Sequence, residues 1–247
     1  MEKEPRRISL CNSLHASNYR GHMPTPTRAL ALHKGQFHRL IKIAQSTSRY
    51  AERDVLVLML GHHCGLRVTE ISRITIADVM YQSGKLRSEV SLREAVAKGC
   101  KQRRTYLVTK PLVDALEAYL SWRLARDVGV EHAGGPFRGL LPHQPVIFSG
   151  RGSGMSQNTK RRTLENGDSR DYKACDSLQS HVTRLYRRAG ITGGSSHSGR
   201  RSFAGKVLSS TGDMETVAQL LGHTSIETTR RYTLPHWQDL EALVEAA

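Results

Sequence analysis

LGHTSIETTRRYT, residues 221–233, decides how the chain is read, because one short stretch holds a helix stop, a helix start and a tyrosine in polar company. Gly222 closes a helical pattern running over 214–221. Thr224 and Glu227 have the spacing of a capping box, which starts a short helix leading to Tyr232. Tyr232 lies nine residues after His223, and Thr228, Thr229, Arg230 and Arg231 precede it. Those polar and basic neighbours argue against simple core packing for the tyrosine. Pro235 then breaks the chain before an amphipathic segment with Trp237, Leu240, Leu243 and Val244, expected as a tail helix over about 236–247.

Upstream, His197 and Arg200 stand three apart at the start of a helical pattern over 198–209, a spacing that lets both side chains reach one ligand. Before them, Leu178, Val182, Leu185 and Ala189 fall at helical spacing and Gly190 is the stop. Two further cations sit in suggestive places: Arg67 in GLRVTE, opening a helical turn shortly after Gly65, and Lys98 in the turn AKGCKQ, with Lys101 three residues on. Taken singly, a surface arginine and a solvated turn lysine are the ordinary readings of these two.

The remaining periodicities set the fold class as α+β and mainly helical, with a small antiparallel sheet. Phe37, Leu40, Ile41 and Ala44 mark one helix, Val55 to Leu60 a more buried one, and Leu112, Leu116, Tyr119 and Leu120 another, with Pro111 in its first turn. Ile76 to Tyr81, a QSGK turn, the alternation of Val90, Leu92 and Val96, and Thr105 to Val108 are expected to supply the sheet, and 146–148 (VIF) a further short strand. Residues 1–28 have no apolar periodicity and are expected as a flexible basic arm. The Gly, Pro, Ser, Arg and Lys rich stretch over about 129–176 is expected as a long basic loop within a domain covering 29–247.

Over 247 residues, 37 Lys and Arg oppose 22 Asp and Glu, a net charge of +15 that favours a polyanionic partner, nucleic acid ahead of an anionic membrane surface. No apolar run approaches the ~20 residues that span a bilayer, and MEKEPRRISL lacks the apolar core of a secretory signal. A cytoplasmic location is the expectation. Cys11, Cys64, Cys100 and Cys175 have neither disulfide-framework nor zinc spacing, and adjacent His62, His63 and Cys64 point in different directions on a helix. Neither a metal nor another cofactor is expected.

In this order, GLR, a hairpin lysine, His-x-x-Arg, LGH and a tyrosine resemble the signature of the tyrosine recombinase, or phage integrase, family over roughly residues 30–240. The resemblance implies that family's catalytic-domain fold over 29–247 and a catalytic set of Arg67, Lys98, His197, Arg200, His223 and Tyr232, with Lys101 the alternative lysine and Glu70 the acid that often follows the first arginine. The implied activity is site-specific cleavage and rejoining of double-stranded DNA through a 3′-phosphotyrosine. Arg67 and Arg200 would bind the nonbridging oxygens as charge grows, Tyr232 would attack, His197 would accept its proton, His223 would hydrogen-bond the phosphate, and the lysine would protonate the departing 5′ oxygen. A homotetramer on paired DNA sites, docked through the C-terminal tail, is implied, along with a possible accessory DNA-binding protein and no membrane. A type IB topoisomerase-like relaxing enzyme, a noncatalytic DNA-binding protein of the same fold and a metal hydrolase are the other readings. Gly199 and Arg201 depart from the family pattern, which usually has leucine and histidine there. Most integrases also carry an N-terminal helical domain that clamps the far face of DNA. The 28-residue arm is too short for it, so the chain is expected to be a fragment, to borrow the clamp, or to compensate with arm and basic loop.

Overall fold

A computed structural model describes residues 29–92, 102–132, 134–163 and 167–233. The arm, the lysine-bearing turn with Lys98 and Lys101, Val96 and the tail segment fall outside the described residues.

The core is built on α2 (Ala51–Cys64), whose residues Val55 to Leu60 are buried in succession, along with His62 and Cys64. A helix buried on every face needs neighbours on every side. α1 (Lys34–Thr47) buries the expected Phe37, Leu40, Ile41 and Ala44, and α5 (Lys110–Leu124) and α7 (Ser198–Thr211) complete the packing around α2. At the α2–α7 crossing a Cβ on Gly199 would come within 2.9 Å of the Gly61 carbonyl carbon. A leucine there would force the helices apart, which gives the departure at Gly199 a packing reason. α6 (Asp176–Arg188) lies against α1, and its Tyr186 hydroxyl meets the buried His62 Nε2 at 2.7 Å.

Between α2 and α5 the chain makes two one-turn helices, α3 (Val68–Ile71) and α4 (Ile76–Val79), then the antiparallel pair β1 (Glu89–Leu92) and β2 (Arg103–Tyr106). The expected strand over 76–81 is mostly helical: the Asp78 carboxylate accepts from the backbone N–H and hydroxyl of Thr75, which starts a helical turn. Only an isolated bridge, Met80 to Leu86, spans the QSGK turn. Val146, Ile147 and Phe148 are buried but form no strand, making single bridges at Pro145 and Phe148.

The stretch over 129–176 is not one long loop. Arg123 of α5, fully buried, donates from Nε to the Val128 carbonyl at 3.0 Å and from Nη1 to the carbonyls of Pro145 and Val146 at 3.0 and 3.1 Å. One arginine thus ties down both ends of a segment that has few apolar residues to hold it. Further on, β3 (Asn158–Thr163) and β4 (Ser169–Ala174) pair antiparallel as a second two-stranded sheet, with Gly167 at φ +84° in the connection. The C-terminal part of the described chain is α8 (Met214–Leu221), capped by the Asp213 carboxylate, and α9 (Ile226–Thr233). The cap of α9 is Ser225, whose hydroxyl accepts from Glu227 N–H at 3.2 Å, one residue beyond the expected Thr224. Among the described residues no helix is long and apolar enough to cross a membrane.

Candidate active site

Four segments far apart in sequence deliver charged groups to one place. α2 ends at Gly65, and Arg67 then opens α3 as its N-cap residue. Glu70, one turn on and fully buried, accepts from Arg67 Nη1 and from the Arg67 backbone N–H, both at 2.8 Å. Its other side is met by Arg103 Nη2 from β2 at 2.6 Å. Arg103 also donates from Nη1 to the Leu220 carbonyl at the end of α8, at 2.8 Å. Gly222 must follow at φ +63°, and a Cβ there would lie 2.5 Å from Arg103 Cδ, so both conformation and space demand glycine.

Arg200 reaches the same point from the first turn of α7. It is 1% exposed, and its Nη1 and Nη2 donate at 2.5 Å to the carbonyls of Gly65 and Leu221, at the C-terminal ends of α2 and α8. Nη2 also lies 3.1 Å from His223 Nε2. A guanidinium can only donate, so Nε2 accepts; the proton sits on Nδ1, which is 2.9 Å from the Thr229 hydroxyl of α9. Tyr232 completes the group: its ring centroid is 5.0 Å from that of His223 and 5.7 Å from the Arg200 guanidinium carbon. The partly buried Tyr232 ring packs with Ala204, Val217 and Leu221 in a small apolar cluster separate from the main core. His197 is the exposed N-cap residue of α7, three positions ahead of Arg200.

Charge dominates the electrostatics here. Burial pushes the Glu70 carboxyl up, but Arg103, Arg67 and Arg200 outweigh it and hold it below the ordinary range. Burial and then the Arg67 charge lower Arg200 to about 9, still protonated at neutral pH. Burial followed by Arg200, Arg67 and Arg103 lowers His223 to about 3, which keeps the imidazole neutral. Three guanidiniums against one carboxylate leave two positive charges in excess. The Nε groups of Arg103 and Arg200 are buried without an acceptor among the described residues, a cost of about 1–3 kcal/mol each. Arg103 and His223 line a cavity of about 770 Å³ together with Ser91, Tyr106, Leu220 and Gly222.

Of the residues singled out in the sequence, Arg67, Glu70, Arg200, His223 and Tyr232 are therefore brought together, while Lys98 and Lys101 lie outside the described residues. Arg103 escaped sequence reasoning, although a signal was there. It shares the inward phase of Thr105 and Leu107, where an arginine has to find a buried partner. Arg201, the other departure from the family pattern, donates from Nε to the Tyr232 carbonyl at 3.4 Å and from Nη1 to the Ala29 carbonyl at 2.5 Å. It thereby ties the end of α9 to the start of the described chain.

Proteins similar to this chain in sequence and fold are recombinases. Tyrosine recombinase XerC of Neisseria meningitidis serogroup B is 30% identical over 203 residues, 80% of this chain and 52% of that protein. Tyrosine recombinase XerC of Proteus mirabilis is 28% identical over 197 residues, 79% and 52% of the two chains. The chain spans about half the length of the curated relatives it matches. In fold it resembles the crystal structure of XerA recombinase, with a TM-score of 0.61 at 24% identity over 90% of this chain and 66% of that one. It also resembles XerH site-specific recombinase bound to its difH substrate, with a TM-score of 0.56 at 21% identity over 87% and 53%. The model of the phage integrase family matches residues 31–238, nearly all of the described chain, and the protein belongs to that family.

Proposed function

We propose that the chain is the catalytic part of a site-specific DNA recombinase that cleaves and rejoins strands through a 3′-phosphotyrosine. The observation that carries this reading is the meeting of Arg67, Arg200, His223 and Tyr232 beside a buried excess of positive charge. A phosphodiester gains negative charge on its nonbridging oxygens as it is attacked, and preorganised donors lower that barrier. Arg67, whose side chain is 21% exposed, is the guanidinium an incoming phosphate meets first; Arg200 lies behind it, against the tyrosine ring. Removing either donor is expected to slow cleavage by about 10²–10³-fold.

The bonds made and broken balance without a further reagent. The Tyr232 hydroxyl oxygen bonds to phosphorus, its proton passes to His197, and the 5′ oxygen leaves with a proton from Lys98, or from Lys101 as the alternative. The phosphotyrosine keeps the energy of the broken bond, so a second DNA 5′ hydroxyl reverses the reaction and joins a new strand. Neutral His223 accepts from Arg200 in the free protein. An anionic phosphate favours protonation of the imidazole, which then donates from Nε2 to the substrate. Action as a tetramer on paired sites, with the tail joining subunits, belongs to the same proposal, and so does a partner or fused segment that clamps the far face of the duplex.

Trapping on a nicked suicide duplex that the protein demonstrably binds tests the reading. The expected result is a covalent adduct with the native chain that is absent from Tyr232→Phe. Absence of any adduct with the native chain on such a duplex would overturn it.

A further inference from the structure

The β3–β4 ribbon has no apolar face. Asn158, Thr159, Lys160, Arg161 and Thr163 of β3 are exposed, as are Ser169, Asp171 and Lys173 of β4; Tyr172 is half-buried and only Ala174, at the base, is buried. A two-stranded ribbon in water is marginal at best, and one without a buried face gains nothing from packing. Its register also sets two like residues opposite each other, since Arg162 and Arg170 are Cα partners. Something other than folding accounts for this composition.

Successive strand residues alternate between the two faces, and the faces differ in kind. One set of positions carries Arg161 opposite Asp171 and Lys173 opposite Thr159, and these satisfy each other: Arg161 Nε to Asp171 at 2.8 Å, Lys173 Nζ to the Thr159 hydroxyl at 2.6 Å. The alternate set carries Lys160 opposite Tyr172 and Arg162 opposite Arg170, three cations and an aromatic with no acidic residue among them. Lys160 pairs with Asp176, which lies beyond the ribbon at its base.

The base of the ribbon is fixed next to the active site. Gln157 Nε2 donates to the Ser72 hydroxyl at 2.9 Å, and Ser72 ends the one-turn helix that Arg67 begins. At about 1.5 Å per residue that is about 7 Å along the helix from Arg67. A six-residue strand extends about 20 Å from there, a length over which a duplex presents a phosphate charge about every 1.7 Å.

We propose that the Lys160–Arg162–Arg170–Tyr172 face of this ribbon is a second contact surface for double-stranded DNA, gripping the phosphate backbone beside the strand being cut. It rests on the proposed DNA-cleaving function. The register sets Arg162 and Arg170 opposite each other, positions from which they would share phosphates, and the opposite face stays internally paired. The contact reads backbone and not sequence, so it adds affinity on any duplex and steadies the site against the arginine cluster.

Binding of the full chain to a short duplex of unrelated sequence, titrated against salt, tests the proposal. R162Q/R170Q and R161Q/K173Q each remove two cations from the same ribbon. The first is expected to lower the slope of log K against log salt by about 1.8, making binding about tenfold less salt-sensitive between roughly 50 and 200 mM. The second is expected to leave the slope near that of the native chain, even though it frees the Asp171 carboxylate to repel DNA. Equal losses in both would reduce the effect to overall charge and overturn the assignment of a face. No loss in R162Q/R170Q, with adducts at Tyr232 still forming, would overturn the ribbon contact alone. Failure of the native chain to bind duplex at all would overturn both proposals.

Discussion

Among the described residues one backbone motif occurs twice, and the two copies differ in what covers them. β1–β2 and β3–β4 are both two-stranded antiparallel ribbons. In the first, burial alternates along each strand, with Val90, Leu92, Arg103 and Thr105 inward against α4 and α8. In the second, nearly every described strand residue is exposed. A strand that lends one face to a core is held rigidly and can position a side chain for chemistry. A strand with two wet faces is free to spend both on charge.

The largest effect that would sharpen this contrast is expected at Arg103. It faces inward from β2, joins Glu70 and holds the Leu220 carbonyl beside His223. Arg67 still holds Glu70 when Arg103 is removed, so the cost is that of two lost charge-assisted hydrogen bonds, to Glu70 and to the Leu220 carbonyl, at about 1.5–3 kcal/mol each. Arg103→Met is therefore expected to lower the unfolding free energy by that order in urea titration and to slow adduct formation further than the stability loss explains. A loss below about 1 kcal/mol would mean that the first ribbon is no better anchored than the second.

Leu92→Ala, on the same inward face, is expected next. Truncating a buried leucine costs about 2–5 kcal/mol, depending on how far the surroundings collapse. Leu92 is 1% exposed, but it sits near the end of its strand, so a value in the lower half of that range is expected from the urea midpoint. Leu92 is the cross-strand partner of Arg103, so adduct formation per folded molecule is expected to fall only as far as Arg103 shifts, much less than in Arg103→Met, which separates support of the ribbon from the work of Arg103.

The same contrast explains what could be read in the sequence. Val90 and Leu92 gave away β1 through their period of two, and α1 and α5 were legible from apolar spacing, because in each case one face is buried. β3 and β4 have no such period, so NTKRRT and SRDYKA looked like loop: alternation reports burial, not the strand itself. Ile76 to Val79 misled for the opposite reason, a β-branched and apolar run bent into a helical turn by Asp78. In the site, Arg67, Arg200, His223 and Tyr232 could be named from motif order, whereas the role of Arg103 depends on a partner 33 residues away in the chain. That Arg200 is fully buried, holding the carbonyl ends of two helices, was equally invisible, since it follows from packing that no local pattern encodes.

Acid should bring out the buried side of the comparison. The folded-state pKa of Glu70 lies below its ordinary 4.5, so the stability it contributes is present above that value and is lost as pH falls through it toward the lower folded value. The unfolding free energies of the native chain and Glu70→Gln are expected to differ most near neutral pH and to converge below about pH 4.5. A difference that stays constant down to the acid limb would show that the arginines do not depend on the charge of Glu70.

The smallest effect belongs to the second ribbon. Arg161 and Asp171 form a good pair at 2.8 Å, but their side chains are 72% and 48% exposed, and water solvates each as well alone as together. R161Q/D171N is expected to leave the thermal midpoint unmoved. The first ribbon supplies a matched control, since its outward face carries Arg104 and Glu89 at 3.1 Å, 69% and 45% exposed, and R104Q/E89Q should be equally silent. If both are silent while Arg103→Met is not, it is the side of the strand, and not the presence of an ion pair, that decides whether charge holds the fold. If R161Q/D171N alone lowers the midpoint, the ribbon needs that pair to persist, and exposure alone does not decide the worth of an ion pair. Either result concerns the internally paired face alone, because successive strand residues alternate sides and the proposed phosphate contact lies on the other one.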